Sequence, residues 1–85
     1  MSNSKFVNEL VEAFLDINTK KEMKHFLVSI LTIDELEILP RRLQIIKLLK
    51  KGMSQREIAK KLKVSISSVT NGSIEIQKGH FKNIK

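Results

Sequence analysis

The sequence predicts an all-α protein of five short helices, and three observations carry that prediction. Thr19–Glu22, Thr32–Glu35 and Ser54–Glu57 each place a hydroxyl three residues ahead of a glutamate, the capping-box pattern that opens a helix. Apolar residues recur at intervals of three and four through most of the chain. Strand signals are missing: the run from Val64 to Val69 alternates only briefly and lies inside a helical pattern.

The first helix is expected from about Ser4 to Ile17, where Phe6, Leu10, Val11, Phe14 and Leu15 form one apolar stripe. The second opens at Thr19 and carries Met23, Phe26, Leu27 and Ile30. The third opens at Thr32 and carries Leu36, Leu39, Leu43, Ile46 and Leu49, with Gly52 as its stop. Pro40 falls within it. A mid-helix proline removes one backbone hydrogen bond and crowds the preceding turn, at about 3 kcal/mol. A break or kink is therefore expected, with Pro40 opening a second segment that runs to Lys51. Ile38, Ile45 and Leu48 lie off the main stripe, so this helix is apolar on more than one side and predicts burial on more than one side.

The fourth and fifth helices, about Gln55–Leu62 and Ile66 to beyond Gly72, fold across a tight turn. Ile58, Leu62, Val64 and Val69 are placed to clamp one against the other, and Ala59 offers an inner face small enough for a close crossing. This is the pattern of a helix-turn-helix, whose second helix enters the DNA major groove. Lys63 in the turn is expected to need a left-handed backbone, at about 1–2 kcal/mol.

Charge is segregated in the same sense. From Pro40 to Lys85 twelve Lys and Arg face two Glu, a net +10, whereas Met1 to Leu39 carries four Lys against seven acids, a net −3. A basic surface confined to the segment that holds the motif is the footprint of a phosphate-binding face. The alternative is that these lysines only solvate helix surfaces.

Eighty-five residues make one domain with a marginal core, for which dimerisation is the usual remedy. Together with the two-sided third helix this predicts a homodimer with two reading helices in successive major grooves; a monomeric bundle is the alternative. Residues 1–51 would then supply the dimerisation helices, 54–78 the helix-turn-helix and 79–85 a basic tail. The absence of cysteine rules out disulfides and thiolate metal sites. His25 and His80 have no ligand spacing, so no metal is expected. No apolar leader or membrane span is legible, which predicts a cytoplasmic protein, and Asn71-Gly72-Ser73 is a chance glycosylation match. Phe81, in the tail beyond Gly79, either tucks back onto the body or stays mobile. No nucleophile–base pair or carboxylate dyad points to an enzyme.

Leu31-Thr32-x-Asp34-Glu35, Arg42, Met53-Ser54-Gln55-Arg56-Glu57, and Ile66, Val69, Thr70, Gly72 and Ser73 together resemble the Trp repressor family. The resemblance covers about Leu31 to Lys78. It implies an intertwined all-helical homodimer that binds a double-stranded DNA operator and represses transcription. It also implies that Arg56 contacts a guanine edge, that Ile66 and Thr70 lie along base edges and phosphates, and that Gln55 lies near the backbone. From the residues themselves, Ser67 and Ser68 are short and polar enough to approach bases or phosphates. Lys60, with Lys61 and Lys63, suits phosphate neutralisation.

The ligand positions depart from the family. Trp-responsive members hold the indole between two arginines, with a serine on the ammonium group. Arg42 matches the first arginine, Asn71 replaces the second, and Glu75 replaces the serine, beside Gly72. Asn71 cannot stack a guanidinium on an indole or pair with a carboxylate, and Glu75 repels the carboxylate of an amino acid. L-tryptophan is therefore not expected to control this chain. The chain also stops at Lys85, so its dimer is expected without the last helix of the family. Two other readings are a small helical protein-interaction module and a helix-turn-helix protein of a transposase-related family. Steep salt dependence of binding separates a DNA reader from the first.

Overall fold

The computed structural model describes residues 3–85. Five α-helices follow in order: α1 Asn3–Leu15, α2 Lys20–Ile30, α3 Ile33–Lys50, α4 Gln55–Leu62 and α5 Ile66–Gln77. No strand occurs among the described residues. The all-α expectation of five helices holds. The chain forms two compact units, Met1–Leu36 and Glu37–Lys85.

In the first unit, α1 ends at Leu15, two residues before the expected Ile17, which instead closes a turn onto the Phe14 carbonyl at 3.2 Å. Thr19 caps α2: its hydroxyl oxygen accepts from the Glu22 amide at 3.1 Å and donates to the Glu22 carboxylate at 3.0 Å. Phe14 and Phe26 join the two helices edge to face, with ring centroids 5.4 Å apart. No described residue of this unit is buried. Phe6, Val11, Leu15 and Val28, on helical stripes that should bury apolar surface, remain exposed.

The third helix corrects the expectation at Pro40. α3 runs unbroken for 18 residues with Pro40 inside it, and no second segment starts there. The proline φ is compatible with helix, so the cost is confined to the missing bond to the Leu36 carbonyl and to local crowding. Both sides of the proline are otherwise well supported. Thr32 and Glu35 exchange capping bonds of 2.8 and 3.2 Å, Asp34 and Glu35 complement the positive helix start, and Lys47 and Lys50 complement its end. Ile45 and Ile46 then anchor the later turns in the core.

In the second unit the buried core is Ile45, Ile46, Ile58, Ala59 and Val69. Leu48, Leu49, Met53, Leu62 and Val64 pack around it. The clamp expected between α4 and α5 is therefore present, with Ile58 and Val69 fully enclosed. Gly72 lets α5 press against α3: a Cβ there would lie 3.1 Å from Ile45 Cγ2 and 3.2 Å from Ile46 Cδ1. All three helices of this unit stop on a left-handed residue: Gly52 (φ 89°), Lys63 (φ 57°) and Gly79 (φ 92°). The amides of Met53, Val64 and His80 each reach back to close the end, at 3.2, 3.1 and 3.1 Å.

Candidate nucleic-acid interface

The helix-turn-helix is built from local capping on both sides of its turn. Ser54 opens α4, its hydroxyl oxygen accepting from the Glu57 amide at 3.2 Å and donating to the Glu57 carboxylate at 2.9 Å. Ser65 opens α5 by accepting from the Ser68 amide at 3.2 Å. Its hydroxyl also meets those of Ser67 and Ser68 at 3.0 and 2.9 Å. Sequence reasoning passed over Ser65, because no acidic residue follows at the third position to complete a capping box. Lys63 between the helices adopts the left-handed geometry expected of it, with ψ 47°.

The fold displays one set of the candidate residues together. Arg56 and Lys60 are exposed on α4 at helical spacing, and Lys61 and Lys63 extend the basic surface. On α5, Ser67 is exposed and Ile66 keeps 51% of its surface in solvent. Gln55 and Thr70 are half-buried and meet each other: the Thr70 hydroxyl donates to Gln55 Oε1 at 2.8 Å. That contact joins the first residue of α4 to the second turn of α5.

A second set converges on the opposite flank of α5. Arg42, Asn71, Gly72 and Glu75 all line a cavity of about 430 Å³ between α3 and α5, together with Arg41, Ser68 and Phe81. Glu75 Oε2 lies 3.7 Å from Lys78 Nζ and 3.4 Å from His80 Nδ1. Phe81 reaches the cavity because Gly79 reverses the chain and the Lys50 ammonium donates to the Phe81 carbonyl and, at 2.7 Å, to the Ile84 carbonyl. Of the two alternatives for Phe81, the structure therefore has it tucked onto the body. Lys50 and Arg41 were missing from the sequence-derived set; neither carries a local signal for a contact made over 31 residues or across helices.

Among the described residues no group of His, Cys, Asp and Glu is placed to hold a metal, and no helix is long and apolar enough to cross a membrane.

Residues 5–83 match the family described as Trp repressor protein. The chain belongs to the Trp repressor family. Relatives named Trp operon repressor homolog, from three strains of Xylella fastidiosa, are 36% identical over 84 residues, covering 98% of this chain and 91% of theirs. No solved structure matches the chain significantly. Membership of this regulatory, non-enzymatic family makes the chain a DNA-binding, repressor-like regulator.

Proposed function

We propose that this Trp repressor family member works as a homodimer that reads an operator through Arg56 and the exposed start of α5, and that it does so without tryptophan. The observation that carries the reading is the display on one helix-turn-helix of an exposed Arg56, exposed Lys60, and an apolar–polar α5 start at Ile66 and Ser67. Arg56 suits a guanine edge through its bidentate fork, while Lys60 neutralises phosphate. Gln55 and Thr70 complete the surface by positioning or phosphate contact, and Ser68, at the start of α5, adds to it although it also lines the cavity.

The dimer is supported by the apolar surface that one chain leaves uncovered, on the first unit at Phe6, Leu10 and Val11 and on α3 at Ile38, Leu39 and Leu43. Residues 1–51 would provide that interface, and two copies of residues 54–78 would span successive major grooves. A soluble regulator of this kind acts in the cytoplasm.

Independence from tryptophan rests on the cavity lining. Beside Arg41 and Arg42, Asn71 brings no guanidinium to stack on an indole, and Glu75 places a carboxylate in the lining that repels the carboxylate of an amino acid. The test is selection of bound sequences from random DNA, with and without L-tryptophan, followed by Arg56→Ala on the selected site. Arg56→Ala should weaken the specific site by about 1–3 kcal/mol and leave nonspecific binding nearly intact. Equal losses on both DNAs would sink the base-reading role, and a tenfold tightening by tryptophan would sink the claim of independence.

A further inference from the structure

We infer that Thr70 is a positioning residue, and that its hydroxyl fixes the Gln55 side chain so that Gln55 presents only donors to a DNA phosphate. The inference rests on the DNA-reading role proposed for this helix-turn-helix and assigns the labour within it.

The two side chains lie fifteen residues apart in sequence and on different helices. Ile66 and Thr70 occupy one stripe of α5 at a spacing of four, and Val69 between them is fully buried. Thr70 therefore sits at the margin of the exposed face, beside α4, where Gln55 is the first helical residue. The Thr70 hydroxyl proton is committed to Gln55 Oε1 at 2.8 Å in a half-buried setting.

The consequence follows from the donor inventory of the two groups. A phosphate oxygen accepts hydrogen bonds and offers none, so Thr70 cannot donate to a phosphate while it donates to Gln55. A carboxamide has an accepting and a donating end, and only the donating end suits an anion. Holding the Gln55 carbonyl on Thr70 commits the accepting end within the protein and leaves both N–H donors of the amide free. It also removes the rotamer freedom that Gln55 would otherwise lose on binding, because the ordering is already built into the free protein. Backbone contacts of this kind set the register of the helix on the duplex rather than its base preference.

A double-mutant cycle on the full chain tests the assignment, with Thr70→Val removing the hydroxyl at nearly constant shape and Thr70→Ser retaining it. Thr70→Val should weaken binding to specific and nonspecific duplex by the same factor, roughly three- to tenfold. Thr70→Ser should restore most of that loss. Thr70→Val combined with Gln55→Ala should bind no more weakly than Gln55→Ala alone. Thermal unfolding of each variant separates a folding defect from a binding one, since Thr70→Ser should unfold like the parent and bind nearly as tightly. Additive losses would overturn the inference by showing that Thr70 meets DNA itself, as would a Thr70→Val variant that binds like the parent. Failure of the parent to bind any duplex would instead remove the DNA-reading role on which the assignment stands.

Discussion

At the scale of single residues, Lys63 is the clearest case of local cost tolerated for geometry. Three helices of the second unit stop in the left-handed region, and two use glycine; the third uses Lys63, at φ 57° and ψ 47°. A β-carbon there costs about 1–2 kcal/mol, part of which glycine would return through its larger unfolded-state entropy. Lys63→Gly should accordingly raise unfolding stability by about 0.5–1 kcal/mol, read as a higher urea midpoint at unchanged slope. A midpoint that stays or falls would show that the lysine side chain contributes more to the folded state than its backbone costs. The strain at Lys63 was legible in the sequence because turn chemistry is a local property. The Gln55–Thr70 bond was not: both residues stood in the candidate interface, but their pairing depends on how α4 crosses α5. Gly72 was read as a ligand neighbour, and its tight approach to Ile45 and Ile46 comes from packing that periodicity does not reveal.

At the scale of elements, helix starts were easier to read than helix continuity. Thr19, Thr32 and Ser54 each make the capping bonds that their spacing implies, because a capping box is completed within four residues. α3 runs through Pro40, against the expected break, because the proline's penalty is local while the support for the helix lies on both sides of it. The Thr32–Glu35 box holds the start, and Ile45 and Ile46 hold the later turns. The boundary between the two compact units falls between Leu36 and Glu37, within the turn from which Pro40 withholds its bond. Pro40→Ala restores that bond in a helix that already has the right geometry. It should stabilise the protein by about 1–3 kcal/mol, the upper end being the full helix-interior penalty and the lower allowing for the stiffer unfolded chain that proline gives. Guanidinium unfolding monitored by far-ultraviolet circular dichroism measures this directly. A loss of stability would mean that Pro40 makes a folded-state contact worth more than the hydrogen bond it forgoes.

At the scale of the whole molecule, the deciding quantity is how little one chain buries. Among the described residues only Ile45, Ile46, Ile58, Ala59 and Val69 are buried, all in the second unit, although 41% of the sequence is hydrophobic. The first unit holds its helices through a half-buried Phe14–Phe26 contact and leaves Phe6 and Leu15 66% and 75% exposed. In the proposed homodimer, a partner copy would help offset the entropy of ordering residues 3–36, at roughly 1 kcal/mol or more for each backbone. Covering the same stripes with a second copy removes apolar surface from water on both chains at once, at about 25 cal/mol per Å². In the proposed homodimer folding and association would be one process, so stability would depend on chain concentration by mass action. The midpoint of thermal unfolding should rise steadily with total protein, and sedimentation at micromolar concentration should return twice the 9.8 kDa chain mass. A clean monomer whose unfolding midpoint ignores concentration would exclude the two-groove reader. Operator affinity would then have to come from one helix-turn-helix, with fewer neutralised phosphates and a correspondingly shallower dependence on salt.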